Sequence, residues 1–265
     1  MTTPNEADEA EAADQAAAPP TRALERGLQL LGLFDADHPE WTLKELRERT
    51  GLPKATVRRL IMTLEASDWV VRNDDSGTYR VGPGATRIGY AARSHNELVR
   101  VAHPHLERLA DQTTESVSFA VWTRRGAMLL DNVSTLRMFR YGVHNGMLLE
   151  GLTSANAKAL VAFLPEQMWD GLLTTPIEPR TPRTVTDPDR VREQWRHYRE
   201  AGVAFDWGEW TDEAMAVAAP VLDRNGTVLA AVSVVVPVER ATEETMYRCA
   251  AAARETAAEI SRELG

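Results

Sequence analysis

Apolar side chains recur every three or four positions from Thr21 onward. Leu24, Leu28, Leu31 and Phe34 mark a first helix near residues 21–35, which DADHPE breaks. In WTLKEL, Thr42 and Glu45 stand at Ncap and N3 of a capping box, and Trp41 and Leu46 at the two hydrophobic-staple positions. A second helix therefore runs to about Thr50, where Gly51 ends it, and Pro53 suits the first turn of a third. In that third helix, about Pro53 to Ser67, Val57, Leu60, Ile61 and Leu64 form a buried stripe. Lys54, Ala55, Arg58, Arg59 and Met62 then point away from it. WVVRN, DDSG and TYRVG follow as strand, turn and strand.

Beyond a short linking helix at 83–94 the pattern mixes both periods. HPHLERLADQTTE is helical, with the His103-Pro-His105 run at its start. SVSFAVWT, AMLLDNVS and LRMFRYGV are strands, the first two joined by a turn at Arg124–Gly126. TSANAKALVAFLP is a helix. TDPDRVREQWRHYREAG is another, capped by Thr186 or Asp187 and stopped by Gly202. AMAVAAPVLDRNGTVLAAVSVVVP is a hairpin turning at Asn225-Gly226, and a long helix from about Thr242 to Leu264 follows. Helices mixed with antiparallel hairpins make an α+β chain. The expected domains are an acidic, disordered tail at 1–20, a DNA-binding domain at 21–82, the linker helix at 83–94 and a second domain at 95–265.

Composition narrows the function. The 265 residues are enough for two domains, and 43% hydrophobic with 26% charged residues is usual for a soluble globular protein. No apolar run reaches the roughly 20 residues that span a bilayer. The N-terminus lacks the apolar stretch of a secretory signal, and the single cysteine, Cys249, excludes an internal disulfide, so a reducing cytoplasm is expected. The formal net charge of -9 is uneven. Residues 1–20 carry five acids and no base, residues 21–94 twelve Lys/Arg against ten Asp/Glu, and residues 95–265 eighteen against twenty-four. The one segment with a positive balance contains the third helix, and the local field outweighs the total at a contact face. No metal or cofactor is expected: His103 and His105 lack a third ligand. Ser118, His144 and Asp131 could be drawn as a catalytic set, but no spacing supports it, and there is no G-x-S-x-G or phosphate loop.

Helix, helix, glycine turn, basic helix and hairpin is the winged helix-turn-helix order, whose second packed helix enters the major groove by its N-terminal residues. The stretches RALERGLQLLGLF, WTLKELRERTGLPKATVRRLIMTLEASDWV and GTYRVGPGATRIG resemble the DNA-binding domain of the IclR family of bacterial transcriptional regulators. HPHLERLADQT, LTSANAKALVAFLP, PRTVTDP and AVAAPVLDRNGTVLAAVSVVVPVERAT are similar to that family's GAF-like effector-binding domain with its antiparallel sheet. The resemblance covers about residues 21–264. It implies a cytoplasmic regulator, a homodimer or dimer of dimers on palindromic double-stranded operator DNA, responsive to a small organic acid, aromatic or sugar-like metabolite.

By that resemblance the DNA contacts fall on Lys54, Ala55, Thr56, Arg58 and Arg59. Lys54, Thr56 and the helix start suit phosphate, and the two arginines suit guanine O6/N7. Ala55 stands where the family often has serine and favours a thymine methyl. Arg72 and Arg80 are phosphate candidates in the wing; each cation here fits a solvated surface equally. The effector residues fall on Ser154, Ala155, Asn156 and Ala157, at a helix start whose free N–H groups attract a carboxylate, and on Asp206. Ser154 or Thr153 could instead simply cap that helix. Ala216 replaces a frequent cysteine, Leu152 a frequent histidine, and DWGE a more acidic run, which together favour a larger or more apolar ligand. Trp122, Met147, Trp207 and Trp210 are its possible walls, or ordinary core. The reading is a ligand-responsive regulator, by default a repressor. An activator remains an alternative, as do a metabolite sensor or an enzyme without DNA binding.

Overall fold

The computed structural model describes residues 21–36, 38–94, 96–134 and 143–265. The acidic stretch 1–20 and, but for Val143, the strand expected at LRMFRYGV lie outside them. The chain divides into two compact units between Ser94 and His95.

In the first unit, helix α1 (Arg22–Leu31) buries Gly27 and Leu30. The stripe read from Leu24 and Leu28 is out of phase: these two are 63% and 58% exposed. The helix stops at Gly32 and not near residue 35, so Phe34 reaches the core from a loop. Helix α2 (Leu43–Thr50) carries the expected capping box: Glu45 N–H donates to Thr42 Oγ1 at 3.3 Å and Thr42 N–H to Glu45 Oε2 at 2.8 Å. Gly51 ends it at φ 66, the left-handed region that favours glycine. Helix α3 (Lys54–Ala66) starts one residue later than expected, with Pro53 as its cap, and buries Val57 and Ile61. Strands β2 (Val70–Arg72) and β3 (Tyr79–Val81) form the wing, and a two-residue strand β1 (Glu40–Trp41), too short to show a period, extends it in the order β1-β3-β2. Leu30, Trp41, Leu46, Val57, Ile61, Val70 and Tyr79 make one core. Helix α4 (Pro83–Ser94) follows.

The second unit begins with α5 (Glu97–Thr113), capped by Asn96. The His-Pro-His run therefore lies inside this helix, not at its start. Asn96 nucleates the helix upstream, and Pro104 is carried within it. Six antiparallel strands follow in the order β6-β5-β4-β9-β8-β7: β4 (Ser116–Thr123), β5 (Gly126–Val133), β6 (Leu148–Glu150), β7 (Ala204–Asp206), β8 (Ala214–Leu222) and β9 (Val228–Pro237). The short β6 and β7 were not legible in the sequence, nor was helix α7 (Glu166–Leu172), which follows α6 (Ala155–Ala162). Helices α8 (Pro188–Ala201) and α9 (Glu243–Leu264) match expectation, and Asp187 and Thr242 cap them.

The two sheet faces differ in side-chain size. One presents Val117, Phe119, Val217, Val221, Val232, Val234 and Val236 to α5 and α9. The other presents Ala120, Ala127, Ala204, Ala218 and Ala231 to α6, with Ser118 opposite Ser233 on the adjacent strand. Small residues on this second face let α6 approach closely, and all eight of its residues are buried.

Candidate nucleic-acid interface and ligand cavity

Burying Val57 and Ile61 turns the opposite side of α3 outward. Lys54, Ala55, Arg58 and Arg59 are exposed and Thr56 half-buried. Lys54, Ala55, Arg58 and Arg59 line one concave surface with Met62 and Thr63. Among the described residues no carboxylate lies within ion-pair distance of Lys54, Arg58 or Arg59, so their charge is available. The two wing arginines diverge. Arg72 is opposite Tyr79 in the ladder and Arg80 opposite Val71, which places them on different faces of the ribbon. Arg72 also lies 3.9 Å from Asp74, an exposed pair of little strength.

The start of α6 is used structurally. Ser154 Oγ accepts from Ala157 N–H at 3.2 Å, and Asn156 Nδ2 donates to Ser118 Oγ at 3.1 Å. Ser154, Ala155, Asn156 and Ala157 are all buried against the alanine face. Their burial goes with close packing of the helix on the sheet. Asn156 Oδ1, Thr153 Oγ1 and Ser233 Oγ are left without partners among the described residues. Further along the helix, Lys158 Nζ donates to the Phe205 carbonyl at 3.0 Å and pairs with Glu209.

Asp206 is buried at the end of β7, opposite Ala216 on β8. Its Oδ1 accepts from the N–H groups of Glu209, at 2.6 Å, and Trp210, at 3.3 Å. Burial pushes its carboxyl up to about 6, a shift that the nearby Lys158 and these two N–H groups oppose. Tyr198, whose OH donates to the Phe205 carbonyl at 3.3 Å, is held above its usual range, chiefly by burial and then by Glu209 and Asp206. Asp206 thus fastens the 207–210 loop.

A cavity of ≈ 490 Å³ opens where β4, β6 and α7 converge, just before α6. Of the expected effector residues it brings together Trp122 and Leu152, and it adds Thr153, Leu172, Ile177 and Arg180. Met147 packs in the core on the α6 side, outside the cavity lining. Trp207 lies outside this lining: it stacks on Phe205, ring centroids 5.4 Å apart, and packs on the valine-rich core across the sheet. Trp210 instead carries the Arg180 guanidinium 3.4 Å above its ring. Arg180 had no signal in the sequence, being one arginine in an irregular loop. Its Nε donates to the Trp210 carbonyl and its N–H to Thr184 Oγ1, while Thr181 and Thr184 donate to the Gly208 and Glu209 carbonyls.

His103 Nδ1 lies 2.5 Å from Asp131, and His105 sits between Glu259 and Glu263, tying α5 to α9. Among the described residues no three His, Cys, Asp or Glu side chains are placed to hold one metal ion, and no helix is long and apolar enough to cross a membrane. Ser118 faces α6, while Asp131 is opposite Phe119 on the valine-rich side, so Ser118, His144 and Asp131 do not converge.

Two family descriptions match the chain: "IclR helix-turn-helix domain" over residues 23–74 and "Bacterial transcriptional regulator IclR C-terminal" over residues 90–262. The HTH-type transcriptional repressor AllR of Klebsiella pneumoniae is 29% identical over 245 residues, 92% of this chain and 90% of that protein. A crystal structure of an IclR regulator from Alicyclobacillus acidocaldarius matches with a TM-score of 0.82 at 24% identity, covering 93% of this chain and 100% of the other. An IclR homologue from Microbacterium hydrocarbonoxydans, solved with 4-hydroxybenzoate, matches with a TM-score of 0.75 at 26% identity, covering 91% and 98%.

Proposed function

We propose, from a chain that belongs to the IclR family of bacterial transcriptional regulators, that it represses transcription by occupying a palindromic operator as a dimer or dimer of dimers and releases it on binding a small organic metabolite. The observation that carries the reading is the face of α3, where Lys54, Arg58 and Arg59 stand exposed with no carboxylate partner among the described residues. Repression is the sign borne by its AllR relatives. The N-terminal half of α3 would enter the major groove, with Lys54 and Thr56 on phosphate and Arg58 and Arg59 on base edges. The wing would follow the backbone, and because Arg72 and Arg80 lie on opposite faces of the ribbon, one of them would make the contact. The effector would bind in the second domain at the mouth of α6, near Trp122, Leu152 and Ser154. Ala155, Asn156, Ala157 and Ala216 would form the rigid bed beneath it.

The ligand shifts a population: it favours one arrangement of the paired recognition helices by its differential affinity for that arrangement. Selection of binding sites from a random DNA pool tests the reading. It should return a two-fold symmetric sequence that the protein protects on both half-sites. Recovery of no enriched sequence, or of a single unsymmetric half-site, would refute it.

A further inference from the structure

Among the described residues the α3 face concentrates positive charge. Lys54, Arg58 and Arg59 stand exposed on it, and α3 holds no acid before Glu65. Helix α2 differs. Its Lys44, Arg47 and Arg49 alternate with the exposed Glu45 and Glu48, and Arg47 lies 3.9 Å from Glu48. The start of α3 has Pro53 and no side-chain cap, so its first N–H groups add a partial positive charge. Ala55, Met62 and Ala66 share the concave surface with the three cations and give it an apolar part.

Residues 1–20 carry the complementary charge. They hold Glu6, Asp8, Glu9, Glu11 and Asp14, no Lys or Arg, and alanines between and after the acids. This segment joins the fold at Thr21, directly before α1, and α1 shares a core with α3 through Leu30, Val57 and Ile61. At up to about 3.5 Å per residue, Asp14 can lie roughly 25 Å from that anchor and Glu6 roughly 50 Å. A unit the size of residues 21–94 has a radius of gyration of only about 11 Å. The acids therefore reach α3 without strain. Attachment to the same chain gives them an effective concentration on the order of millimolar, at which even a weak contact fills the face much of the time.

We propose that the acidic segment 1–20 docks on the α3 face of its own chain and competes there with DNA. Its carboxylates meet Lys54, Arg58 and Arg59, and its alanines lie against Ala55, Met62 and Ala66. DNA must displace the segment, so observed affinity is reduced by the fraction of faces left open. That factor is the same for every sequence. It pushes binding through phosphate alone below occupancy, while an operator bound on the order of a thousandfold more tightly stays filled. The inference rests on the reading of the chain as a DNA-binding regulator and adds a regulation of that face.

Two measurements on the full-length protein test it. A water-soluble carbodiimide joins a lysine amine to a carboxylate in contact with it. It should link Lys54 to one of the acids between Glu6 and Asp14 within one chain, as read by peptide mass spectrometry. Lys44, exposed on α2, is the internal control and should link to those acids far less. A saturating random-sequence duplex should abolish the Lys54 link. Equilibrium binding to that duplex then compares wild type with a chain lacking residues 2–20, and with one combining Glu6→Gln, Asp8→Asn, Glu9→Gln, Glu11→Gln and Asp14→Asn. Both variants should bind roughly threefold tighter or more at about 0.05 M salt, an advantage that fades toward about 0.3 M as the ion pairs are screened. The inference is overturned if Lys54 gives no such link, if Lys44 gives it as often, if the duplex leaves it in place, or if either variant binds like wild type. Each of these outcomes, with duplex binding intact, rejects the inference alone. A duplex bound by none of the three forms rejects the regulator reading and the inference with it.

Discussion

Asp206 shows how burial sets what one residue can do. Its carboxyl is pushed up to about 6 from an ordinary 3.8, mainly because the charged form is poorly solvated there. The folded state therefore binds its proton more tightly than the unfolded state does. The stability this confers is complete below about pH 3.8 and is lost as the pH rises through about 6. Asp206→Asn keeps an oxygen for the Glu209 and Trp210 N–H groups while removing the charge. Its denaturation free energy should lack the fall between pH 4 and 6, and should exceed wild type by about 1–3 kcal/mol at pH 7.5. A variant less stable than wild type at pH 7.5 would mean that Lys158 stabilises the carboxylate by more than burial penalises it. The residue type was legible in the sequence. Its surroundings were not, because a carboxylate that fastens a loop and one that binds a ligand look the same until the donors around it are seen.

At the scale of elements, α6 is the informative case. Its run of small residues reads equally as a ligand approach or as a close helix–sheet contact, and the alanine face of the sheet packs against it. Ala157 is fully buried. Ala157→Leu should therefore act as overpacking, lowering stability by roughly 1–3 kcal/mol in chemical denaturation and not merely blocking a ligand. An unchanged midpoint would show free space above the helix start. The same contrast explains which elements could be read in advance. Helices α2, α8 and α9 have side-chain caps in Thr42, Asp187 and Thr242, α3 announces itself through Pro53 and a one-sided apolar stripe, and the β8–β9 hairpin through Asn225-Gly226. Strands β1, β6 and β7 are two or three residues long, too short for an alternation of period two to stand out. In α1 the apolar residues exceed what the core can take, so periodicity gave the helix but not its phase: Leu30 is buried and Leu24 and Leu28 are not. The DNA face was legible because it is one helix with one exposed side. The cavity was not, because it gathers β4, β6, α7 and a loop from distant parts of the chain.

At the scale of the whole molecule, an acidic protein of net charge -9 must hold a polyanion through a small cationic surface. Affinity should then depend steeply on salt, and the residues of α3 should divide into those that position and those that specify. The most direct measurement is the salt dependence of binding to the selected operator and to scrambled DNA, for wild type, Lys54→Ala, Arg58→Ala and Arg59→Ala. Lys54→Ala should weaken both DNAs alike and lower the salt slope by about 1. Arg58→Ala or Arg59→Ala should cost about 1–3 kcal/mol on the operator and relax preference at one base position. If all three variants bind and footprint like wild type, α3 does not enter the groove, and the account of this chain as a DNA-binding regulator acting through that helix is wrong.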